Sequence, residues 1–317
     1  MKKIFIYILS LCLLLISLTS CADTQQNGDD DASLTIVTTI FPIYDWVRNI
    51  TGSTDGIVYL DGSGIDMHSF EPTANDIITL ANADIFICIG GASDEWVDAA
   101  VSSCANENLT VIKLIDITGG LTEEAVEGMQ EEDDHGHDTD TSELDEHIWL
   151  SLKNAQTAVS AIAKALGELD TVNRDTYLSN AENYNQKLTE LDGRYAQTVA
   201  SAEKNTLIFA DRFPFRYLTE DYSLNYYAAF PGCSAESEAS FKTITFLIEK
   251  TKELQLDYII ILENSDGKLA GTIADETGAK ALTLNSCQSV TSTEIENGKT
   301  YLSVMEENLA ILTEALS

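Results

Sequence analysis

The stretch NRDTYLSNAENYNQKLTELDGRYAQTVASAE, residues 173 to 203, decides the fold, because it predicts a long helix between two stretches of alternating strands and helices. Residues 151 to 202 contain no proline and only two glycines. Apolar side chains recur at helical spacing in the second part of that region, at Tyr177, Leu188, Leu191, Tyr195 and Val199. The pattern predicts one helix followed by a second, longer helix.

Nearly continuous apolar runs lie on both sides of this helix, as is typical of strands buried on both faces. They are LTIVTTI (34–40), GIVYL (56–60), DIFICIG (84–90), LTVIKL (109–114), TLIFA (206–210), SLNYYAAF (223–230), LDYIIIL (256–262) and KALTL (280–284). Helical segments alternate with them, so we predict an α/β fold of two lobes, each a small parallel sheet flanked by helices, joined by one long rigid helix. The predicted boundaries are 34–172 for the N-terminal lobe, 173–203 for the connecting helix and 204–317 for the C-terminal lobe.

The first 33 residues predict export and anchoring. Residues 1–20 combine a short cationic start with an apolar run too short to span a bilayer, which indicates a secretory signal peptide. The run ends at Cys21 in a sequence that resembles a bacterial lipobox, so we expect a lipid on this cysteine and an extracytoplasmic protein held at the membrane. The polar, acidic residues 21–33 are interpreted as a flexible tether.

The formal charge is strongly negative. Removal of residues 1–20 also removes two lysines and takes it from −34 to −36. Such a surface argues against nucleic acid or anionic lipid as a partner and is suited to cations.

Residues 122–150 concentrate the metal-binding side chains, with three of the four histidines and twelve Asp and Glu but no Lys or Arg. One interpretation is a solvated acidic loop over residues 122–146. We favour two sites: a mobile collector with the auxiliary ligands His135 and His137, and a fixed ligand at His147, which precedes an apolar segment.

Ligands in two-lobed α/β proteins lie at the carboxyl ends of the strands, between the lobes. His68 lies in the loop after GIVYL, Asp211 directly follows TLIFA, and Glu263 and Asp266 follow LDYIIIL. An ordinary surface role for His68 and helix capping by the carboxylates are the alternatives. Of the cysteines in the lobes, Cys88 is predicted to be a buried small residue; disulfides joining Cys88 to Cys104 or Cys233 to Cys287 are left open.

Six motifs resemble the zinc/manganese solute-binding lipoproteins of bacterial ABC importers, over essentially all of residues 34–317. They are TTIFPIYDWVRNITG, GIDMHSFEPTANDI, ADIFICIGGASDEWV, DEHIWLSLKNA, AAFPGCSAESEAS and TYLSVMEENLAIL. The resemblance implies two metal-ligating histidines, His68 and His147, and a monomeric receptor that delivers its ion to an ABC permease with a cytoplasmic ATPase.

The second lobe departs from the family pattern. Arg212 stands where zinc members have a third histidine and manganese members a glutamate, and arginine cannot ligate. Asp211 is the nearest substitute; alternatively, Arg212 pairs with a carboxylate and only three protein ligands remain. The resemblance places the family's last metal-ligating carboxylate at either Glu263 or Asp266. Glu236 and Glu238 are close enough in the sequence to be further candidate ligands.

We therefore predict a metal set of His68, His147, Asp211 and Glu263. Two imidazoles with carboxylates favour Zn²⁺ over Mn²⁺, which prefers more oxygen ligands. Two other functions share these residues: a surface metal buffer or adhesin without a transporter, and an exported zinc hydrolase. No HExxH segment or GxSxG elbow is present, so we expect a protein that is not an enzyme.

Overall fold

A computed structural model describes residues 34–62, 64–130, 144–234 and 238–317. The predicted signal peptide and tether therefore lie outside the described residues. So do the expected lipidation site Cys21, the auxiliary histidines His135 and His137, and the further candidate ligand Glu236.

Two four-stranded parallel sheets form the lobes, one before and one after the long helix. The first sheet contains β1 (Ile36–Thr38), β2 (Ile57–Tyr59), β3 (Ile85–Cys88) and β4 (Thr110–Lys113) in the order β2-β1-β3-β4. The second contains β5 (Thr206–Phe213), β6 (Asn225–Pro231), β7 (Tyr258–Leu262) and β8 (Lys280–Leu284) in the order β6-β5-β7-β8. Six of these eight strands lie within the apolar runs that predicted them, whereas β5 continues beyond its run to Phe213 and β6 to Pro231. The predicted fold class is confirmed.

Helices flank both sheets. In the described residues they are α1 (Phe41–Thr51), α2 (Ala74–Ala81), α3 (Trp96–Ser103), α4 (Ile115–Thr118), α5 (Leu152–Leu169), α6 (Arg174–Ser201), α7 (Arg216–Tyr222), α8 (Phe241–Glu253), α9 (Lys268–Thr277), α10 (Ser292–Glu296) and α11 (Tyr301–Ala315). Three short 3₁₀ helices cover Met67–Ser69, Ala92–Asp94 and Ile148–Leu150. None of the helices in this part of the chain has the length and apolar character that a membrane span requires.

The long helix α6 has 28 residues, which correspond to about 42 Å at the rise of an α-helix. Its buried apolar side chains belong to one hydrophobic cluster that continues into both lobes. The Tyr184 hydroxyl donates to Asp45 of α1 at 3.1 Å, and Asp192 accepts from the Tyr222 hydroxyl of α7 at 2.8 Å. The helix is therefore fixed to both lobes by packing and by hydrogen bonds.

The chain after β8 returns to the first lobe. The Ser292 backbone donates to the Gly62 carbonyl at 3.1 Å, and the Tyr301 backbone donates to Asp45 at 3.0 Å. Asp45 is fully buried and also pairs with Arg48. The C-terminal segment therefore contacts both lobes. The predicted boundary, residues 204–317, assigned it to the second lobe alone.

All four described cysteines are free thiols. The two disulfides that the sequence left open are therefore not formed. Cys88 is fully buried in β3, as predicted for a small core residue.

Candidate metal centre

His68 is held in place by its own loop and by the first lobe. It lies in the 3₁₀ helix after β2, where Asp66 caps the helix and accepts a hydrogen bond from the His68 backbone at 3.1 Å. Its Nδ1 forms a 2.8 Å hydrogen bond with the Ser93 hydroxyl. Because Nδ1 is occupied by Ser93, Nε2 is the ring nitrogen that faces His147.

His147 is fully buried and is oriented by Asp145. One carboxylate oxygen of Asp145 accepts from the His147 backbone at 2.8 Å and lies 3.0 Å from Nδ1 of the ring. The Tyr217 hydroxyl, from the second lobe, donates to the Asp145 carbonyl at 2.6 Å. An ionised carboxylate only accepts, so the proton is on Nδ1 and the lone pair of Nε2 is directed away from Asp145.

The Nε2 atoms of His68 and His147 lie 3.4 Å apart. Tetrahedral zinc with Zn–N bonds of about 2.0 to 2.1 Å places two ligand nitrogens about 3.3 to 3.4 Å apart. The separation therefore fits two imidazoles that share one zinc ion.

The protonation of the two rings differs. Burial, with the positive charge of a protonated His147, lowers the pKa of His68 to about 4. Burial also lowers the pKa of His147, but Asp145, Glu146 and Glu123 outweigh it and raise that pKa above its ordinary value. His68 is therefore a neutral, ligand-competent imidazole at neutral pH.

Cys233 is the third member of the cluster. Its Sγ and the histidine ligand nitrogens all lie within 4.8 Å of one another. The residue follows β6, and its backbone donates to the Glu123 carboxylate at 3.2 Å. A Cβ on the preceding Gly232 would lie 2.8 Å from the Phe213 carbonyl oxygen and 3.2 Å from Cε1 of His147. Only glycine lets this turn approach the imidazole so closely.

The predicted carboxylate ligands bind other partners in the structure. Asp211 accepts from the backbones of Arg212 at 2.8 Å and Leu262 at 3.4 Å. Glu263 accepts from the backbone and hydroxyl of Ser286 at 2.9 and 2.7 Å. Neither belongs to a cluster of three or more metal-ligating groups among the described residues.

Of the other candidate carboxylates, Asp266 and Glu238 lie in the described residues, and neither belongs to the cluster of His68, His147 and Cys233. Asp266 pairs with Lys268 and accepts from its backbone at the start of α9. Glu238 is exposed.

Arg212 bridges the lobes. Its guanidinium donates to Asp66 at 2.5 Å, and that carboxylate also caps the helix that carries His68. The alternative in which Arg212 pairs with a carboxylate is therefore the arrangement that the structure shows.

A family model described as zinc-uptake complex component A, periplasmic, matches residues 36–315. The chain belongs to this ZnuA family. The resemblance drawn from the sequence motifs is thereby confirmed.

Two curated proteins illustrate the relationship within the ZnuA family. The zinc-binding lipoprotein AdcA of Streptococcus pneumoniae R6 is 31% identical over 318 residues, which cover 99% of this chain and 61% of AdcA. The chain thus spans less than two thirds of that relative. The high-affinity zinc uptake system protein ZnuA of Bacillus subtilis 168 is 30% identical over 317 residues, covering 98% of this chain and 97% of the relative.

A solved structure shows the same fold. The Zn(II)-bound ZnuA-like domain of Streptococcus pneumoniae AdcA superposes with a TM-score of 0.71 at 29% identity, covering 89% of this chain and 98% of the domain.

Sequence reasoning considered Cys233 only as a disulfide partner. The signal that points to it is its position two residues after β6, at the carboxyl edge where ligands of an α/β fold collect. The sequence also did not predict which residues position the three groups of the cluster. They are Ser93, Asp66 and Glu123, and each lies in a different loop.

Both ends of the acidic segment of this ZnuA-family chain make contacts with the rest of the protein. Thr122 and Leu144 form an antiparallel bridge, and the Gln130 backbone donates to the Ala229 carbonyl at 2.9 Å. Met129 is buried. Residues 122–130 and 145–146 are therefore partly packed, although Glu124, Glu127 and Leu144 are exposed, and the predicted collector histidines lie outside the described residues.

Proposed function

We propose that this protein is an extracytoplasmic receptor that captures Zn²⁺ between its lobes and delivers it to an ABC permease with a cytoplasmic ATPase. The observation that carries the proposal is the pair of imidazoles 3.4 Å apart, each positioned through its other ring nitrogen. Because Ser93 and Asp145 engage Nδ1 of the two rings, both Nε2 atoms are available to a single cation between them. Zinc is the cargo, and Cys21 would carry the lipid that keeps the receptor at the membrane.

The ligand chemistry favours zinc over manganese. Zn²⁺ accepts imidazole and thiolate ligands in tetrahedral geometry, whereas Mn²⁺ prefers oxygen ligands. The three groups that converge in the described residues carry nitrogen or sulfur, and the nearby carboxylates of Asp145 and Asp66 are already bound to a histidine or an arginine.

Competitive titration tests the selectivity. The metal-free protein without residues 1–20 should bind one Zn²⁺ per chain, and Mn²⁺ should fail to displace it at equal concentration. Mn²⁺ binding as tight as that of Zn²⁺, or zinc bound only by residues 131–143, would contradict the receptor proposal.

Uptake separates a transport receptor from a surface metal buffer. Cells that depend on this protein should take up zinc under scarcity, and His68→Ala should abolish that uptake while surplus zinc restores growth. Loss of the permease should have the same effect; uptake that persists without the permease would favour the buffer.

The collector hypothesis is tested by replacing residues 131–143 with a Gly/Ser linker of equal length. Residues 122–130 remain because they pack on the second lobe. We expect stoichiometric binding at the centre to be retained and uptake under zinc scarcity to fall. As a matched control, His135→Asn with His137→Asn in the intact segment should reproduce the fall; unchanged uptake in both variants would remove the collecting role.

A further inference from the structure

We propose that Cys233 supplies the ligand of the second lobe, so that zinc is held by His68, His147 and a thiolate. The inference rests on the proposed function and assigns a residue that the sequence motifs did not identify as a ligand. It gives this chain a sulfur donor in place of the family's third histidine, whose position is taken by Arg212.

The position of Cys233 is fixed by the backbone around it. Its own amide is anchored on Glu123 at 3.2 Å, and Gly232 packs against the His147 ring. The adjoining Ser234 is buried and closes the turn by donating to the Pro231 carbonyl at 3.4 Å. Because the cysteine side chain is short and its backbone is held by these contacts, the thiol has a fixed position beside the two imidazoles.

The other groups of the second lobe are less suited to the task. Arg212 is permanently cationic and is committed to Asp66. The carboxylate of Asp211 stabilises the irregular end of β5 by binding two backbone amides. Glu263 fixes Ser286, whose carbonyl accepts from the indole of Trp149 at 2.7 Å. Recruiting either carboxylate would break contacts that hold strand ends in place, whereas the thiol is already in the cluster.

The surrounding charge suits a divalent cation. The carboxylates of Glu123, Glu146 and Asp145 lie near Cys233, and their negative charges favour a divalent cation beside it. Zinc binding by the thiol breaks the S–H bond, forms a sulfur–zinc bond and releases the proton to the buffer. No oxidation or reduction takes part.

A thiolate ligand also increases the selectivity of the site for zinc over manganese. Soft sulfur ligands favour Zn²⁺ and Cd²⁺ over Mn²⁺, which prefers oxygen. A His₂Cys set leaves a fourth position for water or for a carboxylate that moves when the ion enters, as in other zinc sites with three protein ligands.

The test uses a spectroscopic signature of the metal–sulfur bond. Loading the metal-free protein with Co²⁺ or Cd²⁺ should produce a thiolate-to-metal charge-transfer band with a stoichiometry of one per chain. Cys233→Ser should remove the band and weaken Zn²⁺ binding by more than about 10-fold, the lower end of what loss of an outer-shell partner already costs. Cys104→Ser is the matched control, because Cys104 lies in the first lobe outside the cluster, and its band and affinity should match those of the unmodified protein.

A second measurement needs no variant. Iodoacetamide labelling of the unmodified protein, read by mass spectrometry, should show that zinc slows alkylation of Cys233 and leaves Cys104 unaffected.

Two results would overturn the assignment: a Cys233→Ser protein that binds zinc as tightly as the parent, or a charge-transfer band that persists in it. If zinc binding is lost in His68→Ala and Glu263→Gln but survives Cys233→Ser, the receptor proposal stands and the sulfur ligand does not. A parent protein with no tight zinc binding would remove both.

Discussion

Replacing His147 with alanine should abolish tight zinc binding, with a loss of more than about 100-fold in affinity, because removal of an outer-shell partner alone costs about 10- to 100-fold. His147 is fully buried, and its Nε2 lies 3.4 Å from that of His68. Alanine removes the ligand nitrogen and also leaves the Asp145 carboxylate without the ring that it orients. Competition against a chromophoric zinc chelator measures the change.

His147→Gln separates ligation from folding in this experiment. The glutamine amide keeps a donor for Asp145 but is a poor zinc ligand, so we expect the same loss of affinity with a smaller effect on thermal unfolding. A His147→Gln protein that holds zinc as tightly as the parent would show that the ion binds elsewhere.

Replacing Trp149 with alanine should have the largest effect on stability, lowering the free energy of unfolding by about 3 to 5 kcal/mol as for other buried aromatic truncations. The indole is fully buried between the lobes and donates to the Ser286 carbonyl at 2.7 Å. The Tyr301 hydroxyl donates to the Trp149 carbonyl at 2.5 Å, so the first lobe, the loop after β8 and α11 meet at this residue. Urea denaturation of the metal-free protein measures the loss.

Two further aromatic variants serve as controls. Trp149→Phe keeps most of the ring but leaves the Ser286 carbonyl without its donor, which should cost about 1 to 3 kcal/mol. Phe241→Ala removes an aromatic ring that is 90% exposed and should change stability by less than about 0.5 kcal/mol. Equal losses in Trp149→Ala and Phe241→Ala would show that burial between the lobes is not the source of the effect.

The sequence alone predicted an α/β fold with a long helix, and it selected the two histidines whose Nε2 atoms lie 3.4 Å apart in the structure. Buried parallel strands are continuous apolar runs, and β3, which lies within DIFICIG at 84–90, has all four of its residues buried. The helical spacing that ended at Val199 matches α6, which ends at Ser201. These features depend on the local period of the chain and on the rule that ligands follow strands, so His68 could be selected without coordinates.

Only the tertiary structure decided the second-lobe side of the site. Cys233 and His68 are in one cluster although they lie 165 positions apart in the sequence. Arg212 binds Asp66, which lies 146 positions away in the sequence. Asp211 and Glu263 satisfy the same strand-end rule as His68, but hydrogen bonds to Leu262 and Ser286 engage their carboxylates. Whether a strand-end side chain faces the cleft or a neighbouring amide depends on long-range packing, which the local pattern of residues does not encode.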